Sequence, residues 1–160
     1  MDTARDRSWP VAELDPVRQL KVLAAAQKQP LYAERHFAVP AADLWAVVSD
    51  LEGELPRIVP ALRSFTVEER DGERLRARAV SRIGHRELFD VVLRENWCVM
   101  QSKVLVSGMA AAPEEDGARF AFFTGLRIPG GGPAGRLTRL LRPGRGERLL
   151  DGLQARLDAR

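Results

Sequence analysis

Residues 37–60 read Phe-Ala-Val-Pro-Ala-Ala-Asp-Leu-Trp-Ala-Val-Val-Ser-Asp-Leu-Glu-Gly-Glu-Leu-Pro-Arg-Ile-Val-Pro. Leu44, Val47, Val48 and Leu51 fall at the i, i+3, i+4, i+7 spacing that lines up one apolar stripe of an α-helix, and Trp45 widens it. Pro40 suits a first helical position, where no amide hydrogen is needed, and Asp43 places negative charge near the positive end of the helix dipole. Gly53 is the expected stop. Beyond it Pro56 and Pro60 leave space for only a short second helical turn before the chain extends. The implied order is strand, buried helix, short helix and return to strand.

Upstream, residues 31–38 alternate imperfectly, with Leu31, Ala33, Arg35 and Phe37 on one face and Tyr32, Glu34, His36 and Ala38 on the other. Whichever face is buried takes a polar group with it. Arg35 or His36 then either points into a pocket or is satisfied by a partner near the strand end. Further upstream, Asp15-Pro16 starts a short amphipathic helix in which Val17, Leu20, Leu23 and Ala24 keep helical spacing. This divides the chain into an N-terminal extension, residues 1–30, lying outside or against a main domain of residues 31–160.

Downstream the pattern is that of sequential antiparallel strands. Residues 62–70 and 73–83 flank an Asp71-Gly72 turn, and a strand over residues 86–95 follows a turn at Gly84-His85. In the second of these strands Arg74, Arg76 and Arg78 alternate with Leu75, Ala77 and Ala79, giving one wet face and one face built from small side chains. Phe89, Val91 and Leu93 share a face of the third. Residues 97–112 read as one long strand with Cys98, Met100, Val104, Val106, Gly108 and Ala110 in phase, and a polar turn at 113–117 returns the chain through Phe120, Phe122, Thr124 and Leu126. Residues 129–133, Pro-Gly-Gly-Gly-Pro, break regular structure. Leu137, Leu140, Leu141, Leu149, Leu150, Leu153 and Leu157 then keep a helical stripe interrupted at Pro143-Gly144. That apolar stripe is expected to close the open side of the sheet.

With 160 residues and 45% apolar content the chain suffices for one domain and one core. No run approaches the ~18 apolar residues of a membrane span, and residues 1–10 are too polar for the apolar part of a signal peptide. A cytoplasmic location without stable membrane insertion is expected. The net charge of +3 and the pI near 9.6 are carried mostly by arginines that alternate with acids, and no basic stripe is interleaved with aromatics, so nucleic acid is not expected as a partner. Monomer and homodimer both remain open.

Cys98 is the only cysteine and His36 and His85 the only histidines, at spacings that hold no metal, and no G-x-S-x-G elbow marks a hydrolase. The glycines of residues 130–135 lack the following Lys-Ser or Lys-Thr of a phosphate loop, so no cofactor is expected either. Arg136, Arg139, Arg142, Arg145 and Arg148 recur every third residue, as a solvated helix face or a basic surface for an anionic partner.

The Val-Pro-Ala-Ala-Asp-Leu-Trp opening of residues 39–45, Ser49-Asp50-Leu51, Leu55-Pro56-Arg57, and Gly125-Leu126-Arg127-x-Pro129 before a terminal helix resemble the START-like, or helix-grip (SRPBCC), superfamily, particularly its polyketide cyclase/dehydrase-like branch. The resemblance implies an α+β fold: a curved antiparallel sheet wrapped around a long C-terminal helix, with two short helices after the first strand. It also implies a deep apolar pocket holding a lipid, polyketide or similar hydrophobic molecule. Candidate lining residues are Arg35, Ala77, Ala79, Ser81, Phe89 and Val91, then Met100, Val104, Phe120, Phe122, Thr124 and Leu153. Small side chains at Ala77, Ala79, Ser81, Gly108 and Ala110, facing Phe120 and Phe122, leave the room. Some members act on polyketides through polar pocket groups. Here Tyr32, Arg35, His85, Glu87 and Asp90 are the possible acids and bases, their facing unresolved, and no catalytic residue is assigned. Their scarcity favours binding over an enzymatic cyclase or dehydratase role, and a non-catalytic interaction protein using the arginine-rich terminal helix is the third possibility.

Overall fold

The computed structural model describes residues 14–28, 30–127 and 144–160. Helix α1 (Pro16–Ala25) is followed by strand β1 (Leu31–Phe37), helices α2 (Ala41–Val48) and α3 (Leu55–Ile58), and six strands. These are β2 (Leu62–Asp71), β3 (Arg74–Ser81), β4 (Arg86–Arg94), β5 (Trp97–Gln101), β6 (Leu105–Glu114) and β7 (Gly117–Leu126), and helix α4 (Arg145–Asp158) ends the chain. The seven strands form one antiparallel sheet in the order β1-β7-β6-β5-β4-β3-β2. Tight turns join β2 through β7 in sequence, whereas β1 and β2 are the opposite edges. The α2–α3 pair therefore carries the chain from one edge to the other over the concave side, which buries Leu44, Trp45, Val47, Val48, Leu55 and Ile58.

Helix α2 ends at Val48, earlier than Gly53 would place it. Asp50 causes this: its carboxylate accepts the Gly53 amide at 3.0 Å and fixes a turn there.

The two faces of the sheet hold two cores. On the convex side Val17, Leu20 and Ala24 of α1 pack on Val106, Ala110, Ala112, Ala121 and Phe123. Asp15 caps that helix by accepting the Arg18 amide at 2.9 Å. A Cβ at Gly108 would lie 2.6 Å from the Phe123 ring and 2.8 Å from Leu20, so the glycine lets α1 sit close. On the concave side α4 contributes Leu150 and Leu153, both fully buried, and packs against β1, α2 and α3.

One strand expectation is corrected. Residues 97–112 are two strands, because Ser102 turns the chain: its hydroxyl accepts the amides of Val104 and Leu105 at 3.2 and 3.0 Å. Gln101 pairs with Val106, so even-numbered residues that are concave in β5 become convex in β6. Val106, Gly108 and Ala110 thus belong to the α1 core, and Val104 lies half-buried in the turn. Met109 and Ala111 are the residues opposite Phe122 and Phe120, and Ser107 is opposite Thr124. The leucines at 137, 140 and 141, the glycines of 130–135 and Arg136, Arg139 and Arg142 lie outside the described residues.

Candidate functional site: the concave face of the sheet

Five neighbouring strands repeat one pattern along the concave face. Taken toward the end of the sheet where β3 finishes and β4 begins, they read Ala77, Ala79, Ser81 on β3; Val91, Phe89, Glu87 on β4; Cys98, Met100, Ser102 on β5; Ala111, Met109, Ser107 on β6; and Phe120, Phe122, Thr124 on β7. The first member of each set is 0–2% exposed, the second is 6–8% exposed and the third is polar. The alternation of strand side chains puts all fifteen on one surface, and the staggered pairing makes the polar members a diagonal rim at one end. A sealed apolar floor gives way to an apolar band that solvent still reaches, and then to hydroxyls and one carboxylate.

Ser107 donates to Thr124 at 2.8 Å, while Ser81 and Ser102 accept backbone amides of His85 and of the β5–β6 turn. A serine hydroxyl that only accepts still has its proton to donate. Glu87 has a side chain 15% exposed and lies 2.9 Å from His85 Nε2. This His85–Glu87 pair is the one acid–base couple that the described residues place at the rim.

The other polar candidates point elsewhere. Asp90 is on the convex face beside Arg76 at 3.7 Å, and Tyr32, also convex, donates to Glu34 and lies beneath Lys21. Burial, then the hydrogen bond to Glu34, pushes the Tyr32 hydroxyl pKa well upward. His36 sits 2.7 Å from Glu114, whose carboxyl is held below its usual range by that hydrogen bond and by the one from Arg119. Arg35 is on the concave side, but its guanidinium reaches α4, with Glu147 at 2.6 Å and Asp151 at 3.0 Å. It fastens the helix to β1. At the other end of α4, Arg156 forms two hydrogen bonds to the buried Glu54, which lowers the Glu54 pKa against the opposing effect of burial.

Close approach of α4 depends on glycine. A Cβ at Gly146 would lie 3.0 Å from that of Ala33, and one at Gly152 would lie 2.9 Å from the carbonyl oxygen of Ile58. The Cys98 thiol lies in the floor, where burial pushes its pKa up to about 12, so it is no nucleophile at neutral pH. Among the described residues no group of three or more His, Cys, Asp or Glu side chains could hold a metal ion. No helix among them is long and apolar enough to cross a membrane.

Depressions elsewhere have a different chemistry. One of about 250 Å³ on the convex side is lined by Asp15, Glu34 and Glu114 and by Arg18, Lys21 and Arg119. Another of about 80 Å³ lies at the α2–α3 turn. The concave face is the apolar one.

Neither a family model nor a curated protein matches the chain. Solved structures do match. The protein TTHA0849 of Thermus thermophilus is 26% identical, with a TM-score of 0.62 over 81% of this chain and 97% of that one. A START superfamily protein from Mycobacterium smegmatis is 18% identical, with a TM-score of 0.58 over 81% and 97%. The di-domain ARO/CYC protein BexL, from the BE-7585A biosynthetic pathway, is 16% identical, with a TM-score of 0.60 over 87% of this chain and 54% of that one. With its seven-stranded curved antiparallel sheet, terminal helix and helical pair after β1, the chain has the START-like, helix-grip fold.

Proposed function

We propose that the chain binds a small or medium hydrophobic molecule, such as a lipid or polyketide, between the concave face and α4, in the cytoplasm. The apolar body of the guest lies along Ala79, Phe89, Met100, Met109 and Phe122, and its polar end meets the rim of Ser81, Glu87, Ser107 and Thr124. The observation that carries this reading is the fivefold repeat of sealed apolar, slightly exposed apolar and polar residues toward one end of the sheet. Ligand sites combine mostly apolar walls with a few orienting polar groups in this way. Ala77 and Ala79 add to it, since small side chains leave volume that a core of larger residues would fill. Fold likeness to a START superfamily protein and to an ARO/CYC protein supports the same class of role.

Native mass spectrometry of the protein purified from its own host tests the reading. A bound mass that leaves on mild denaturation supports it. Protein that carries nothing and also fails to take up the neutral apolar dye N-phenyl-1-naphthylamine refutes it.

A second reading, a polyketide cyclase or dehydratase, is favoured by the His85–Glu87 pair alone, because such chemistry needs a proton donor and acceptor near the substrate. Turnover of a confirmed substrate that is unchanged in both His85→Ala and Glu87→Gln would remove it.

A further inference from the structure

The two ends of the sheet carry opposite charge. At the end away from the polar rim, the turns over residues 68–74, 94–97 and 114–117 hold eight carboxylates against three arginines. There Arg78 pairs with Glu68 at 2.9 Å and Arg94 with Glu73 at 3.0 Å. At the rim end, residues 60–63, 81–87, 101–105 and 126–127 hold five cations, Arg63, Arg82, Arg86, Lys103 and Arg127, against the single carboxylate of Glu87. All five cations are exposed and none forms an ion pair among the described residues. Arg82 and Arg127 donate instead to the carbonyl oxygens of Pro60 and Ser102, which holds the neighbouring turns together. At the tip of the β3–β4 hairpin, between Arg82 and Arg86, Ile83 is 92% exposed.

We propose that this end of the sheet docks on an anionic lipid surface, with Ile83 entering the interface and the five cations facing the headgroups. The inference rests on the guest-binding reading in one respect: it places the polar rim, where a guest would enter, against the bilayer from which an apolar molecule is drawn. Charge complementarity selects the partner, because unpaired cations near an anionic membrane each strengthen binding, and an apolar tip adds burial that a purely electrostatic partner does not offer. Nucleic acid fits less well. The described rim end carries no exposed Phe, Tyr or Trp for base stacking, and a bare isoleucine gains nothing from a phosphate backbone.

Co-sedimentation of the full chain with phosphatidylglycerol–phosphatidylcholine vesicles, compared with pure phosphatidylcholine at about 0.1 M salt, tests the proposal. Binding to the anionic vesicles alone is expected. Removing a charge is expected to weaken it about fivefold, and the double variant Arg86→Ala/Lys103→Ala roughly thirty-fold. Ile83→Asp weakens it as well, while Arg74→Ala at the opposite end leaves it unchanged. Uptake of N-phenyl-1-naphthylamine, measured on the same variants without vesicles, stays at the wild-type level. Equal binding to neutral vesicles, indifference to the rim-end variants, or capture of duplex DNA with vesicles ignored would overturn the docking proposal. Lost dye uptake with vesicle binding intact would remove the guest and leave the docking in place.

Discussion

Replacing Gly152 with alanine sets two effects of known size against each other. Glycine inside a helix costs about 1 kcal/mol relative to alanine, so on propensity alone Gly152→Ala stabilises α4 by that amount. The added Cβ, however, would lie 2.9 Å from the carbonyl oxygen of Ile58. A comfortable carbon–oxygen separation is about 3.3–3.6 Å, so α4 must retreat by roughly 0.5 Å from the end of α3. The atom in the way is backbone and cannot rotate aside. The retreat would loosen the neighbouring buried Leu153 and the Glu54–Arg156 contact, and overpacking of this kind costs about 1–3 kcal/mol. The net expectation is destabilisation by about 1 kcal/mol, a fall in Tm of roughly 2–4 °C. Chemical denaturation of Gly152→Ala beside Ala155→Gly, on the exposed side of the same helix, provides the comparison: Ala155→Gly reports the propensity effect alone, a loss of about 1 kcal/mol. If Gly152→Ala gains what Ala155→Gly loses, α4 is not held against α3 as described.

The α1 core yields a larger effect. Leu20→Ala empties a fully buried site between α1 and the sheet and is expected to cost about 2–5 kcal/mol by calorimetry; a loss below ~1 kcal/mol would show α1 only loosely attached. The lowered pKa of Glu54 gives a pH dependence with a definite sign. A carboxyl whose folded pKa is depressed contributes stability that is complete above its unfolded value, about 4.3, and lost as pH falls through the folded value. Glu54→Gln is therefore less stable than wild type at pH 7, and the difference closes in acid; a constant difference across that range would remove the linkage. Cys98 is expected to resist thiol reagents at pH 8 until the protein unfolds, and rapid labelling of the native chain would contradict its place in the floor.

The parts of the fold that were legible in the sequence are those where local pattern and tertiary context agree. The stripe Leu44-Val47-Val48 marks a buried helix because its burial has helical period, and Gly72 marks a hairpin because its φ of +58° is one that few other residues adopt. The β5–β6 turn was hidden because it contains neither glycine nor proline. A serine hydroxyl does their work, and the one available warning was length, since sixteen residues exceed an ordinary strand. The missed turn reversed the assigned face of β6, so Gly108 and Ala110 stood in for Ser107, Met109 and Ala111. Ala77, Ala79, Phe89, Phe120 and Phe122 were legible because each lies on a strand read in the correct phase. Arg35 shows a different limit: alternation puts it on the concave side, but only the fold brings Glu147 and Asp151 of α4 to its guanidinium.

Methyl NMR of the methionines observes the concave face directly. The chain has three, of which Met100 and Met109 lie in the slightly exposed apolar band and Met1 precedes the described residues. In a titration with N-phenyl-1-naphthylamine, the ¹³C-methyl signals of Met100 and Met109 should shift together and saturate. Saturable uptake of the dye with both interior methyl signals unmoved would put the binding site somewhere other than beneath the terminal helix.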